Sequence, residues 1–296
     1  MEFKENHSLK NLNSWKVGGA AEYFCSPTNI QECIDAHEFA KSKKLKITYL
    51  GLGSNVLISD QGIKGLVISS RKLKNIESNI NEKSNRLEIH CLAGNFKTEA
   101  LKLFLKHNLS PALMFAGIPG DIGGGVYMNA GISEKILPRE FSEVVDYIEV
   151  LRDGKLHHFK AEDLEWSYRH CNGWQPGMIV KVGISWSLDN PDLDIKNKVR
   201  EANRTRMTKQ PLDLPSCGSV FVNPVPHHSG KLIQDAGLKG FQIGDAQVSE
   251  KHANFIVNLG DASASEIDSV IKHVQKTVFD KFQVQLSTEV RYLGDW

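Results

Sequence analysis

The chain has 296 residues, 41% hydrophobic and 24% charged, which are ordinary values for a globular protein long enough for two domains. Its 36 Lys and Arg residues nearly balance its 35 Asp and Glu residues, so no basic excess predicts a nucleic-acid partner. No apolar run reaches the roughly 18 residues of a membrane span, and the N-terminal MEFKENHSLKN lacks the apolar core of a signal peptide, which predicts a cytoplasmic protein without membrane insertion.

The first half of the chain alternates predicted helices and strands. Apolar residues recur at helical spacing in TNIQECIDAHEFAKSKKL, where Thr28 and Gln31 have the spacing of a capping box. The strand KITYLG leads into the tight loop GLGSN, and VLISD, GLVISS and RLEIHCLAG are further predicted strands. FKTEALKLFLKHNLS is a second amphipathic helix.

The second half adds a hairpin, VDYIEVLRDGKLHHF, with Asp153 and Gly154 at its turn, and the strand GMIVKVGISWSL. The polar stretch DNPDLDIKN marks a boundary, after which a basic helix runs to Pro211. Ser263 and Glu266 form a capping box before the helix IDSVIKHVQKTVFDKF, and STEVRYLG is a last predicted strand. Because hairpins accompany the alternation, the pattern favours a mixed α+β fold over a pure doubly wound sheet.

Two glycine-rich stretches could hold a phosphate. GLGSN lacks the third glycine of a dinucleotide fingerprint, and no long helix follows it. In AGIPGDIGGGVYMNAG, Asp121 is a candidate N-cap among crowded glycines whose backbone a ligand could approach closely. Tight turns would explain either stretch alone, but two of them favour a diphosphate held by an architecture that is neither a Rossmann fold nor a P-loop.

The cysteines do not predict a disulfide framework or a zinc site. Their number is odd, their spacing is wide and no CxxC occurs, so we expect reduced, mostly buried thiols: Cys25, Cys33, Cys91, Cys171 and Cys217. The adjacent His227 and His228 have no carboxylate spaced to join them and are typical of a solvated turn. We predict no metal site.

Eight motifs in one order give the chain a family resemblance: SWKVGGAAEYF, GLGSNVLI, GIPGDIGGGVYMNAG, SYR, PSCGSVFVNP, GKLIQDAGLKG, KHANFIVN and TEVRYLG. Together they resemble the UDP-N-acetylenolpyruvoylglucosamine reductase family from about residue 8 to residue 294. The resemblance implies an FAD-binding domain of the vanillyl-alcohol-oxidase type at 1–188, with lobes at about 1–70 and 71–188. It also implies a C-terminal α+β substrate-binding domain at 189–296.

The resemblance also implies a reaction. NADPH reduces bound FAD, which in turn reduces the enolpyruvyl ether of UDP-N-acetylglucosamine enolpyruvate to UDP-N-acetylmuramate in peptidoglycan precursor synthesis. The two glycine loops would wrap the FAD diphosphate, through a set of residues carried over from the family: Gly51, Gly53, Ser54, Asn55, Gly117, Ile118, Pro119, Gly120, Gly123 and Gly124. We expect a monomer.

Three catalytic residues follow from the resemblance. Ser219 is the expected proton donor; a hydroxyl suffices because the carbon that it protonates is very basic. Arg169 is expected at the substrate carboxylate, which a guanidinium binds in bidentate fashion, and Glu289 is the third residue, with its pKa raised. Taken singly, these would be a turn serine, a surface arginine and an outward-facing strand residue.

Four further residues match substrate-binding positions. Asn223 could hydrogen-bond the UDP-sugar or the nicotinamide, Lys231 could meet the diphosphate, and His252 and Asn254 lie where the family contacts the nucleotide. Cys217 matches no catalytic position, and we expect it to be structural.

The chain departs from the family after MNAG, where ISEKILPREF (132–141) replaces a glycine-rich turn that carries a glutamate. The short segment between Arg169 and Ser219 indicates the shorter family form, without the extra tyrosine loop, and GGG at 123–125 replaces a small side chain by a third glycine. The alternatives are another FAD-dependent oxidoreductase of the same fold and a non-catalytic protein that binds a UDP-sugar or a flavin.

Overall fold

The computed structural model describes residues 1–132 and 137–296. Within these residues the α-helices are α1 (Ile30–Ser42), α2 (Lys97–Lys106), α3 (Pro111–Gly117), α4 (Ile122–Tyr127), α5 (Ile195–Lys209), α6 (Ser229–Asp235) and α7 (Ala264–Phe282). The strands are β1 (Lys4–Ser8), β2 (Ala20–Cys25), β3 (Ile47–Leu50), β4 (Val56–Ile58), β5 (Ile63–Ser69), β6 (Ile76–Asn81), β7 (Arg86–Leu92), β8 (Val145–Arg152), β9 (Lys155–Lys160), β10 (Glu165–Ser167), β11 (His170–Asn172), β12 (Met178–Ser187), β13 (Gln242–Ile243), β14 (Ala246–Val248), β15 (Ile256–Asn258) and β16 (Arg291–Leu293).

The chain folds into two compact units. Unit 1 consists of Met1–Phe3, Cys25–Leu52 and Val67–Arg204, and unit 2 of Lys4–Phe24, Gly53–Leu66 and Thr205–Trp296. The chain changes unit inside the GLGSN loop, after Leu52, and again inside α5, after Arg204. These units are defined by compactness, so the functional boundary after residue 188 stays a prediction.

Unit 1 contains a five-stranded antiparallel sheet in the order β6-β7-β12-β8-β9. The predicted hairpin is confirmed as β8 and β9, with φ of 50° at Asp153 and 72° at Gly154, which are values that a type I′ turn requires. Helix α4 packs against β7 and β12. The sheet therefore supports the glycine-rich segment that surrounds α4.

Aromatic rings fill the core of unit 1. Phe115 is 1% exposed, and its ring centroid lies 5.2 Å from that of Phe104 and 5.3 Å from that of Phe141. Phe104 belongs to α2, as the amphipathic pattern of that helix predicts, so the three rings join α2, α3 and the segment after the glycine-rich loop.

Unit 2 contains an antiparallel sheet, β13-β14-β15, against which α7 packs, and a parallel pair of β4 and β16. The predicted capping box of α7 is confirmed, with Ser263 accepting from Glu266 N at 3.1 Å. Trp15 is fully buried in this core, where its indole N–H donates to the Ile256 carbonyl at 2.7 Å.

One local prediction was wrong, and another was only partly right. The N-cap of α1 is Asn29, whose side chain accepts from Glu32 N at 3.0 Å, while Glu32 itself accepts from Thr28 N at 2.7 Å. The capping pair is therefore shifted by one residue from Thr28 and Gln31. The predicted last strand STEVRYLG contains β16 but is too long, since Glu289 precedes β16. Before β16, Thr288 forms an isolated antiparallel bridge with Phe221, and Glu289 N donates to the Val220 carbonyl.

The Phe115→Ala variant should lower the free energy of unfolding by about 3–5 kcal/mol, because it leaves a cavity between two buried rings. Urea unfolding followed by tryptophan fluorescence measures this. Leu156→Ala is the control, since Leu156 is 46% exposed and should change stability little. An equal effect of both changes would contradict the assignment of this core.

Candidate functional site

The chain passes from unit 1 to unit 2 inside the first glycine loop, after Leu52. In unit 1, Leu52 N donates to Asp121 Oδ2 at 2.9 Å, and a Cβ on Gly51 would lie 2.6 Å from the same oxygen. In unit 2, Gly53 has a φ of 71° and leaves no room for a side chain, because a Cβ would lie 2.2 Å from the Leu12 carbonyl oxygen. Glycine is therefore required at both positions, for different reasons.

The second glycine loop runs from the end of α3 through α4, all within unit 1. Gly117 ends α3, Ile118 is half-buried, Pro119 is exposed, and Gly120 has a left-handed φ of 102°. Asp121 is the N-cap of α4, as predicted, and accepts from Gly124 N at 2.8 Å.

The three consecutive glycines of α4 have different roles. Gly123 N donates to the Ala93 carbonyl at 2.8 Å, and a Cβ there would lie 2.8 Å from the Ala93 Cβ. A Cβ on Gly125 would lie 2.4 Å from the ring of Phe141, so the third glycine is a packing requirement. Gly124 is exposed. A ligand at this loop would meet the Cα of Gly124, which carries no side chain. The N–H groups of Gly123 and Gly124 already donate to Ala93 and Asp121.

Sequence reasoning missed Lys97, which lies beneath the second loop. Its side chain is 4% exposed, and its ammonium donates to the Pro119 carbonyl at 2.7 Å. Burial is the main cause that lowers the pKa of Lys97 to about 8. The negative charge of Asp121 raises this pKa, and the positive charge of Arg169 lowers it. A sequence signal was available, because Lys97 has helical spacing with Ala100 and Phe104 and so falls on the buried face of α2.

Arg169 lies at the tip of a two-residue hairpin turn between β10 and β11, which begin to pair at Ser167 and His170. It has a left-handed φ of 60°, and its guanidinium donates to the Gly131 carbonyl at 3.0 Å. Asn129 is fully buried and donates to the Ser167 carbonyl at 3.1 Å. The MNAG motif thus holds the hairpin that presents Arg169. Residues 133–136 of the divergent segment after this motif lie outside the described residues.

The residues of unit 1 fit an FAD diphosphate. A Cβ at Gly51 or at Gly124 would lie 2.6 Å from a carboxylate oxygen of Asp121, so glycine at these positions leaves room for that carboxylate. Gly120 has the left-handed φ of a tight turn, and Gly124 exposes its backbone. The ammonium of Lys97 and the guanidinium of Arg169 interact electrostatically in the same region and supply positive charge for an anion.

Ser219 lies in unit 2, in a loop that Asn254 holds in place. Asn254 accepts from Phe221 N at 2.9 Å through its side-chain oxygen, donates to the Phe221 carbonyl at 2.8 Å, and accepts from Val220 N at 2.8 Å through its own carbonyl. Ser219 is half-buried and follows Gly218, whose φ is 74°. The two residues after Ser219 are therefore fixed by three hydrogen bonds.

Glu289 is adjacent to this loop. Its N–H donates to the Val220 carbonyl at 2.8 Å, and its own carbonyl accepts from Asn55 Nδ2 at 3.1 Å. Unit 2 therefore brings together Asn55 of the first glycine loop, with the half-buried Ser54 beside it, and the segments that carry Ser219 and Glu289.

The other candidate residues of unit 2 surround the start of α6. Asn223 is exposed and accepts from Ser229 N at 3.0 Å, while the exposed Lys231 pairs with Asp235 at 2.7 Å. His252 is half-buried, burial lowers its pKa, and a Cβ on Gly230 would lie 3.5 Å from its ring. The predicted residues thus form one group in unit 2 and one in unit 1, where Arg169 lies.

Neither membrane nor metal features accompany these groups. None of the described helices combines the length and apolar character that a membrane span requires. In the part of the chain that the structure describes, no three His, Cys, Asp or Glu side chains are arranged to hold a metal ion. His227 and His228 are both exposed.

Comparisons with known proteins identify the family. The profile of the UDP-N-acetylenolpyruvoylglucosamine reductase C-terminal domain matches residues 210–293, and that of an FAD binding domain matches 21–160. UDP-N-acetylenolpyruvoylglucosamine reductase of Limosilactobacillus fermentum is 38% identical over 99% of this chain and 95% of its own length. The chain belongs to the UDP-N-acetylenolpyruvoylglucosamine reductase family.

Further relatives agree with this assignment. The reductase of Listeria monocytogenes serovar 1/2a is 40% identical over 99% of this chain and 95% of its own length. The crystal structure of UDP-N-acetylenolpyruvylglucosamine reductase from Thermus caldophilus has a TM-score of 0.79 and 28% identity, covering 99% of this chain and all of that one. As a member of the reductase family with an FAD-binding domain, the chain is an oxidoreductase and a flavoprotein.

The cysteines of this reductase-family chain should not react in the native state. All five thiols are buried, and burial raises the pKa of each to about 12, so the reactive thiolate is scarce. Dithiobis-nitrobenzoate at about pH 8 should modify none of them quickly in native protein and all five after urea unfolding. A fast-reacting native thiol would contradict the burial of these residues.

The Asn254→Ala variant should lose about 2 kcal/mol or more of unfolding free energy, because the N–H and carbonyl of Phe221 lose their buried partners. Urea unfolding measures the loss. Asn197→Ala is the control, since Asn197 bonds Asp194 at an exposed site. An unchanged stability of Asn254→Ala would mean that the Ser219 loop is held by other contacts.

Proposed function

We propose that this chain reduces UDP-N-acetylglucosamine enolpyruvate to UDP-N-acetylmuramate with NADPH, in peptidoglycan precursor synthesis and hence in cell-wall biogenesis. The observation that carries the proposal is the placement of Ser219 in a fixed loop whose next carbonyl, that of Val220, accepts from Glu289 N at 2.8 Å. Family membership supports the substrate, because the relatives are named for the enolpyruvoyl sugar nucleotide.

When bound and reduced, FAD would supply the hydride for the methylene carbon of the enolpyruvyl double bond. The chain's own residues provide the rest. We assign Gly51, Gly120 and Gly124, with Gly53, Ser54 and Asn55, to holding the diphosphate, together with the segment Gly117–Pro119 and Gly123.

Ser219 completes the addition as the proton donor. Its hydroxyl gives a proton to the carbon next to the carboxylate, where the electron pair of the broken double bond resides. A hydroxyl can do this without a neighbouring base, because it donates a proton and does not attack.

Arg169 and Glu289 support the charge that develops. The guanidinium of Arg169 suits the planar substrate carboxylate, whose neighbouring carbon becomes negative during the reaction. Glu289 would repel that charge if it were ionised beside the substrate, so we assign it a protonated or donor role. Its backbone contacts with Val220 and Asn55 fix its place.

The residues around α6 are assigned to the UDP moiety. Lys231 is an exposed ammonium that a diphosphate can compete for, because its pairing with Asp235 is a surface interaction. Asn223, His252 and Asn254 surround the same helix start. The NADPH preference, the monomeric state and the cytoplasmic location stay predictions.

Ser219→Ala should separate the two half-reactions. NADPH should still reduce the flavin, because that step needs no proton from Ser219, while formation of UDP-N-acetylmuramate should fall by about a hundredfold or more. Stopped-flow flavin absorbance and product chromatography measure the two steps. Cys217→Ala is the matched control and should retain both.

Two results would overturn this account. Unchanged product formation in Ser219→Ala would remove the serine from the mechanism. Flavin reduction without turnover in the unmodified protein would favour another flavin oxidoreductase of this fold, and absence of both flavin reduction and turnover would favour a non-catalytic binding protein.

Arg169→Lys should raise the KM for the enolpyruvyl substrate and lower kcat, since an ammonium cannot reproduce the bidentate contact. Steady-state kinetics with varied substrate at saturating NADPH measure both constants. Arg204→Lys, at an exposed pair with Glu201, is the control. A normal KM and kcat would place the substrate carboxylate elsewhere.

A further inference from the structure

The carboxylate of Asp121 is bonded to both glycine loops. It is 2% exposed, and its two oxygens accept from Leu52 N at 2.9 Å and from Gly124 N at 2.8 Å. Ser70 adds a long contact from its hydroxyl at 3.5 Å. The missing side chain of Gly51 leaves the space that the carboxylate fills. A single buried side chain therefore sets the spacing of the two loops within unit 1.

Lys97 holds the same loop from below. Its backbone N–H donates to the Gly120 carbonyl at 3.3 Å and its ammonium to the Pro119 carbonyl at 2.7 Å. Its stem fills the space beside Gly125, where a Cβ would lie 2.8 Å from Lys97 Cε. Lys97 thus binds the carbonyl groups of the turn, while Asp121 binds backbone N–H groups of both glycine loops.

Stability alone does not account for these two charges. Burial lowers the pKa of Lys97 from 10.5 to about 8 and raises the pKa of Asp121, while each group favours the charged form of the other. Between pH values of about 8 and 10.5, Lys97 is protonated in the unfolded chain but has largely lost its proton in the folded protein. Stability therefore rises with pH across this range. Apolar residues of similar volume are commonly as stable as buried charges of opposite sign.

We propose that Asp121, with its charge balanced by Lys97, is a positioning residue that sets the two glycine loops of unit 1 at the separation that the FAD diphosphate requires. The inference rests on the assignment of FAD to these loops. The positive charge of Lys97 also offsets the repulsion between the carboxylate and a nearby diphosphate, which an isolated Asp121 would impose.

Asp121→Asn tests the role of the carboxylate. An amide has one acceptor oxygen, so either Leu52 N or Gly124 N loses its partner, while the size of the side chain is unchanged. We expect the dissociation constant for FAD to rise about tenfold or more. The unfolding midpoint of the apoprotein should also fall, because one buried N–H loses its partner. Fluorescence quenching of added FAD by the full-length apoprotein measures the constant.

Asp60→Asn is the matched control. Asp60 also accepts from two backbone N–H groups at a helix start, those of Ala264 at 2.8 Å and Ser265 at 2.9 Å, but it bonds neither glycine loop. It should leave the FAD constant unchanged. If the unmodified protein binds no FAD, the proposed function fails; if it binds FAD and Asp121→Asn binds equally well, the present inference fails.

A pH series on Lys97→Met provides a second readout that a purely structural role would not change. Asp121 and Arg169 are the described charged groups that act on Lys97. Above a pH of about 8, where Lys97 loses its proton, FAD affinity of the unmodified protein should fall. Lys97→Met should bind FAD weakly at neutral pH and without this dependence. The same pH dependence in Lys97→Met would overturn the inference, even if Asp121→Asn proves unstable.

Discussion

The close approach of Gly123 to Ala93 is the constraint on which the site of unit 1 depends. It seats α4 directly on the end of β7, through a 2.8 Å hydrogen bond at a point where no Cβ fits. Because α4 cannot move away from the sheet, Asp121 at its start is buried and must satisfy its oxygens with backbone N–H groups. The glycines of α4 are thus needed for packing, whatever their contact with a ligand.

Unit 2 fixes a reactive residue by a different device. Asn254 bonds both backbone groups of Phe221, and an isolated antiparallel bridge joins Phe221 to Thr288, so the loop after Ser219 is held by both contacts. No acid or base is needed to activate a serine that only donates a proton to carbon. Cys217 in the same loop is buried, and burial raises the pKa of its thiol, so this thiol contributes to packing.

Periodicity and capping predicted α2, α7 and the β8–β9 hairpin, because those signals are local. They gave too long a last strand, because local periodicity does not show where the pairing partner changes: Thr288 bridges Phe221, whereas β16 pairs with β4. The family resemblance supplied the candidate residues, but neither it nor the pattern indicated Lys97, whose burial depends on the glycine loop above it. The need for Gly125 likewise follows from Phe141 and not from its neighbours in sequence.

The most direct test of the central claim uses the unmodified flavoprotein. It is reduced anaerobically with NADPH, UDP-N-acetylglucosamine enolpyruvate is added, and the flavin absorbance is followed. We expect rapid return of the oxidised flavin spectrum together with one UDP-N-acetylmuramate per flavin. A flavin that stays reduced would contradict the assigned substrate, and a protein that shows no flavin spectrum after reconstitution with FAD would contradict the role given to both glycine loops.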